Sequence, residues 1–177
     1  LIKAARRGEV ELVKWLLERQ ADVNARNLFG WSALLWSCLS GNLKMVSILL
    51  DYGADPNIRT SEGETVLMWA CRLGHIEIAD LLLNKGADIE ATDHHWGATA
   101  TMWACRFGRL NILTLLLEKG ADLGHRDYGG RTCLFWAALG GHTIIAQLLL
   151  ACGLNPEAID KAGKKAIDWA LEGGNTD

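Results

Sequence analysis

Apolar and polar positions alternate along the chain in a fixed order. A short apolar run at helical spacing is followed by a Gly-containing turn, a second run ending in Leu-Leu or Leu-Leu-Leu, and a polar Gly-Ala-Asp stretch. In one such first run Leu67, Ala70 and Cys71 fall at i, i+3 and i+4, so they share one helix face, which is predicted to pack inward. Ala or Cys on that face lets neighbouring helices approach closely. Gly86 and Gly120, just after a Leu run, are expected to end the second helices in the left-handed conformation, a place filled by Gln20 near the start. The longest apolar runs, such as Ile48 to Leu50 and Leu115 to Leu117, are far below the roughly 18 residues of a membrane span, so no direct membrane insertion is expected.

Shifting the chain by 33 residues against itself brings four phrases into register: Trp31-Ser-Ala-Leu-Leu-Trp36-Ser-Cys, Glu64-Thr-Val-Leu-Met-Trp69-Ala-Cys, Thr99-Ala-Thr-Met-Trp103-Ala-Cys and Arg131-Thr-Cys-Leu-Phe-Trp136-Ala-Ala. Lys165-Ala-Ile-Asp-Trp169-Ala-Leu is a fifth, and turns recur at Gly53-Ala-Asp, Gly86-Ala-Asp, Gly120-Ala-Asp and Gly153-Leu-Asn. Self-similarity at this period is the mark of a solenoid.

These phrases resemble the ankyrin repeat, whose motif is a Thr-Pro-Leu-His-x-Ala-Ala helix, a Gly-His turn, a second helix and a Gly-Ala-Asp hairpin. The resemblance implies an all-α solenoid of about six helix-turn-helix repeats joined by short β-hairpin loops. It divides the chain into repeats 1–27, 28–60, 61–93, 94–127 (one residue longer), 128–160 and a partial 161–177, forming a single domain over 1–177. The motif's proline is replaced by Ala33, Val66, Ala100, Cys133 and Ala166, and its histidine by Leu35, Met68, Met102, Phe135 and Asp168. The helix starts thus lack a preorganised first residue. Repeat 1 opens inside its first helix, and the last repeat stops at Gly-Gly-Asn-Thr-Asp, an incomplete cap or a disordered tail, so the chain is expected to be a module of a larger polypeptide.

Trp36, Trp69, Trp103, Trp136 and Trp169 each lie two residues after the inward Leu position, about 200° round the helix from it, and are expected to avoid the core. By resemblance they line a concave groove, with Lys3 at the equivalent place in repeat 1. At packing distances of roughly 8 to 10 Å between helices, one rung meets about every third residue of an extended peptide. One turn on stand Arg72 and Arg106, with Leu73 and Phe107 beside them. Exposed aromatic and Arg side chains are typical of binding hot spots. The alternative is that Arg72 and Arg106 stack on their own Trp69 and Trp103 as packing between repeats.

The hairpin tips supply a second set: Leu28, Phe29, Trp31, His94, His95, Trp96 and Tyr128. The extra residue of the fourth repeat falls at His94-His95-Trp96, and such insertions map to loops on the binding face. Trp15, on a second helix, is read as packing.

Other chemistry is not signalled. Cys38, Cys71 and Cys105 recur in small-residue core positions too far apart for disulfides. His75 and His142 fill the Gly-His turn, and neither they nor His94 and His95 show zinc-type spacing, so no metal or cofactor is expected. Asp22, Asp55, Asp88 and Asp122 are periodic turn acids, expected to bond the hairpin backbone. No phosphate-binding Gly motif occurs and no nucleophile and base stand outside the repeat, so the chain is not expected to be an enzyme. A net charge of -3 with both signs interspersed points away from nucleic acid. Five cysteines, an odd count, with no sequon and no signal peptide suit an intracellular protein: cytoplasmic, nuclear, or on the cytoplasmic face of a membrane protein.

The expected function is a monomeric protein-interaction module. Its groove residues, Trp31, Trp36, Trp69, Arg72, Leu73, Trp96, Trp103, Arg106, Phe107, Tyr128 and Trp136, would receive an extended apolar segment with an acidic residue. A proline in that segment would fit as well, since Trp at this rung is similar to the ankyrin domains of palmitoyl-acyltransferases that recruit proline-containing segments. Two alternatives stand beside it. Trp31, Trp36 and Trp69 resemble the methyl-lysine cage in ankyrin repeats of histone lysine methyltransferases, although Leu39 replaces the cage acid. The repeats could also be a scaffold docked on another domain of the same polypeptide.

Overall fold

The computed structural model describes residues 1–175, which form eleven helices and no sheet. The all-α repeat solenoid read from the sequence is the fold that forms. The anticipated hairpins are reduced to single antiparallel bridges, Arg26 with Ser32, Arg59 with Thr65, Thr92 with Thr99 and Ile159 with Lys165. Thr176 and Asp177, the end of the sixth repeat, lie outside the described residues.

The chain makes two compact units, Leu1–Asp88 and the residues from Ile89 onward. The first contains α1 (Ile2–Arg6), α2 (Val10–Glu18), α3 (Ala33–Leu39), α4 (Leu43–Asp51), α5 (Val66–Leu73) and α6 (Ile76–Asn84). Helix α3 packs on α1, α4 and α5, and α5 on α6, burying Val13, Leu35, Met45, Leu49, Leu67 and Leu82. The second unit contains α7 (Ala100–Arg106), α8 (Leu110–Glu118), α9 (Cys133–Gly140), α10 (Thr143–Ala151) and α11 (Ala166–Glu172). Here α9 is central, against α7, α10 and α11, and Met102, Leu113, Phe135 and Leu149 fill the interior. Leu67, Ala70 and Cys71 are all fully buried, as their shared face required.

Side-chain caps stand in for the missing prolines. Ala33, Val66 and Ala100 are the first helical residues, and the residues before them, Ser32, Thr65 and Thr99, accept hydrogen bonds from the backbone N–H of Leu35 (3.2 Å), Met68 (3.2 Å) and Met102 (3.4 Å). Such a cap satisfies a donor that the helix start leaves open. Gly86 and Gly120 adopt the left-handed conformation, with φ of 88° and 87°. Gln20 adopts it too (φ 62°), the one non-glycine residue described that does so, and its Cβ makes this costly.

Turn acids bond the loop backbone as anticipated: Asp22, Asp55 and Asp122 accept from the N–H of Asn24, Asn57 and Gly124. Asn24 and Asn57 tie one repeat to the next. Asn24 donates to the Gly53 carbonyl and accepts from Asp55 N–H, and Asn57 does the same with Gly86 and Asp88. The turn histidines are packing groups. His142 Nε2 lies 3.2 Å from the Arg106 carbonyl oxygen, and its ring sits where a Cβ on Gly108 would be 2.6 Å away.

Cys38, Cys71 and Cys105 are buried free thiols. Burial pushes the Cys38 thiol up to about 12, and burial, then the neighbouring Cys38, pushes Cys71 up as well, so both stay protonated and act as small apolar groups. Trp15 departs from its sequence reading: it is 49% exposed, with the Arg19 guanidinium 3.8 Å from its ring centroid. It falls between Val13 and Leu17, the two buried positions of α2, and so points away from the packed face.

Candidate functional site

The periodic tryptophans form one aromatic cluster in each unit, and the clusters differ in how they treat the indole N–H. In the second unit each ring is pinned by a buried carboxylate. Trp103, Trp136 and Trp169 donate through Nε1 to Oδ2 of Asp93 (3.0 Å), Asp127 (2.9 Å) and Asp160 (2.9 Å). The other oxygen of each acid gathers the tip loop: Asp93 Oδ1 accepts from Trp96 N–H, Asp127 Oδ1 from Gly129 and Arg131, and Asp160 Oδ1 from Ala162 and Lys164. One side chain therefore orders a loop and a helix together. Burial alone would raise the Asp160 carboxyl, but the Lys164 N–H, the Trp169 indole, the Ala162 N–H and nearby Arg131 outweigh it and hold the group below its ordinary range.

Arg131 completes this arrangement. Its Nε lies 2.7 Å from Asp127 Oδ2 in a buried ion pair, and its guanidinium carbon sits 5.2, 5.5 and 4.9 Å from the ring centroids of Trp96, Trp136 and Trp169. A cation held over three aromatic faces is attracted by each. Beside it opens a cleft of about 290 Å³, walled by Trp96, Trp103, Phe107 and Trp169, with Phe135, Trp136 and Leu139 also lining it and Arg106 and Arg131 as its charged groups. Trp103 stacks on Phe107 (5.8 Å, 2° between planes), and Arg106 Nη1 donates to the Leu139 carbonyl. Trp96 packs edge-on to Trp136 at 6.4 Å.

Trp136 departs from the expectation that every ring avoids the core. It is only 7% exposed and packs with Phe135, Met102 and Leu149, because α9 is the central helix of its unit. It belongs to the body beneath the cleft. Tyr128 remains 59% exposed at its tip, outside the cleft lining, and its ring occupies the space a Cβ on Gly97 would need.

In the first unit the rings rest on one another. Trp31 lies 4.9 Å from Trp36 and 5.3 Å from Trp69, centroid to centroid, with Arg6 over Trp36 at 5.3 Å and Arg72 over Trp69 at 5.0 Å. The alternative reading, in which Arg72 stacks on its own Trp69, therefore holds for this arginine. Leu73 is half-buried at the end of α5. The indole N–H groups of Trp36 and Trp69 are buried without an acceptor. The positions matching the pinning acids are Asn27 and Thr60, nine residues before each Trp as Asp127 and Asp160 are before theirs. Asn27 Oδ1 is taken by the N–H groups of Phe29 and Trp31, and its other amide atom is a donor. The short Thr60 hydroxyl is engaged with Glu64.

The sequence reading missed Asp93, Asp127, Asp160 and Arg131. The acids had a signal, their fixed offset before each Trp, which becomes ten at Asp93 because of the inserted tip residue. Among the described residues no group of three His, Cys, Asp or Glu could hold a metal, and no helix is long and apolar enough to cross a membrane.

A family model described as ankyrin repeats (3 copies) matches residues 1–93, and one described as ankyrin repeats (many copies) matches residues 102–150. No curated protein matches the chain.

Proposed function

The chain belongs to the ankyrin-repeat family, whose members generally mediate protein–protein contacts, and from that premise we propose that it binds an extended segment of a partner protein on its tryptophan-lined faces. The observation that carries this reading is the apolar cleft of about 290 Å³ in the second unit, edged by two guanidinium groups. Its Trp103, Trp136 and Trp169 rings are held by buried carboxylates before any ligand arrives, so binding orders little of these side chains, and such preorganisation favours affinity. A Leu or Pro side chain packs against the cleft wall of Trp103, Phe107 and Trp169, and a carboxylate two or three residues away meets Arg106. In the first unit Trp69 and Arg72 offer a second platform of the same kind.

The test is to select natural unstructured peptides on the parent chain and on Trp103→Ala, after circular dichroism has shown the variant to be folded. A motif enriched only on the parent supports the reading. Equal enrichment on both would leave the cleft without a ligand and favour a scaffold docked on another domain.

The methyl-lysine reading has one observation in its favour, the meeting of Trp31, Trp36 and Trp69. Against it, Trp31 already packs on both other rings, 4.9 and 5.3 Å between centroids. Arg6 and Arg72 already supply positive charge at two of the faces. Peptides selected on the parent should therefore bind as well with unmodified lysine as with trimethyl-lysine.

A further inference from the structure

We propose that the first unit carries a carboxylate-binding site at Lys3, Arg6, Arg7, Asn27 and Trp36, which takes an acidic side chain from a partner protein. The site lies in the other unit from the aromatic cleft and uses other residues, so it goes beyond the reading above.

The chain itself shows what a tryptophan at this rung pairs with. At three rungs the indole N–H donates to a carboxylate at 2.9 to 3.0 Å. At Trp36 the same N–H is buried and unpaired, because Asn27 stands where the acid would be. A buried donor left without an acceptor is costly, and a partner that supplies the acceptor recovers that cost.

The surroundings of Trp36 select an anion. A cleft of about 480 Å³ is lined by Ile2, Lys3, Arg6, Arg7, Asn27 and Trp36, three cations and no acid. Among the described residues Lys3 and Arg6 have no carboxylate within ion-pair distance. Arg7 reaches only Glu9, at 3.8 Å and largely in solvent, where a pair contributes little. The three side chains thus present a local excess of positive charge in a chain whose net charge is -3. An incoming carboxylate meets Lys3 and Arg6 first. It reaches the indole N–H as the exposed Arg6 side chain, which rests over the ring, turns to pair with it.

The test is a titration of the 177-residue chain, labelled with ¹⁵N, with capped tetra-glutamate and with capped tetra-glutamine at low ionic strength, following the indole N–H signals. The Trp36 signal, assigned with Trp36→Phe, should move with the glutamate peptide alone. Asn27→Asp, which places the missing carboxylate inside the protein, should weaken binding at least about tenfold while the fold is retained, and Arg6→Ala should weaken it by a similar factor. A Trp36 signal that stays fixed at millimolar glutamate peptide overturns the proposal, as does an Asn27→Asp chain that binds as well as the parent. Trp103→Ala should leave this titration unchanged, so the two sites fail or stand separately.

Discussion

The two units solve the same chemical problem differently. Both set tryptophans at one position of successive helices, and a half-buried indole brings a polar N–H that must be satisfied or left at a cost. The second unit answers with Asp93, Asp127 and Asp160, each of which also gathers its tip loop. The first unit keeps the loop-gathering contacts through Asn27 and Thr60 but has no acceptor for Trp36 or Trp69. One position per repeat, held by an amide or a hydroxyl in place of a carboxylate, separates a self-contained cluster from one that still has hydrogen-bond donors to satisfy.

The strongest way to break the contrast is Asp127→Ala. It strands the buried Arg131 charge, the Trp136 indole and two loop N–H groups, and should destabilise the second unit by about 3–5 kcal/mol in urea unfolding. A loss under about 1 kcal/mol would mean that Arg131 and Trp136 find other partners. Next, Asn27→Asp should give the first unit the arrangement of the second and stabilise it by about 1.5 kcal/mol. An unchanged unfolding midpoint would show that the missing acceptor is not what distinguishes the units.

Gln20→Gly should stabilise the first unit by about 1 kcal/mol, because glycine adopts the left-handed conformation without the Cβ clash. No gain in thermal midpoint would place the strain elsewhere. The smallest effect is one of pH. The Asp160 carboxyl is held below its ordinary value of 3.8, so it adds stability above that value and loses it as pH falls through the lower folded-state value. Asp160→Asn should remove this part of the acid limb, and a variant whose acid unfolding curve keeps the parent's slope would remove Asp160 from the account.

Fold and rungs were legible from the sequence because the period repeats the same physics every 33 residues: small residues inward, glycine at helix ends, Ser or Thr at helix starts. The same periodicity placed the tip acids on view without revealing their task. Their partner lies nine or ten residues on, across a turn, and only folding brings Oδ2 to the indole. Arg131 was hidden for a related reason, since a tip position suggests an exposed side chain and its burial depends on three rings from separate segments. The burial of Trp136 followed from α9 being central in its unit, which a count of residues round one helix does not contain.

The turn glycines that receive a side chain from the next repeat bear on how such a chain can lengthen or shorten over generations. Gly41 receives the ring of His75, Gly108 that of His142, and Gly141 the amide of Asn175, each where a Cβ would be 2.4 to 2.9 Å from the incoming group. The fifth repeat shows both halves of this joint, a socket at Gly141 on one side and a plug at His142 on the other. A second copy of that repeat placed after it would bring a His142 ring to a Gly141 socket, as His142 now meets Gly108, whereas a cut at another spacing would not. At the tip, His94-His95-Trp96 absorbs an extra residue and the bridge at its base, Thr92 with Thr99, still forms.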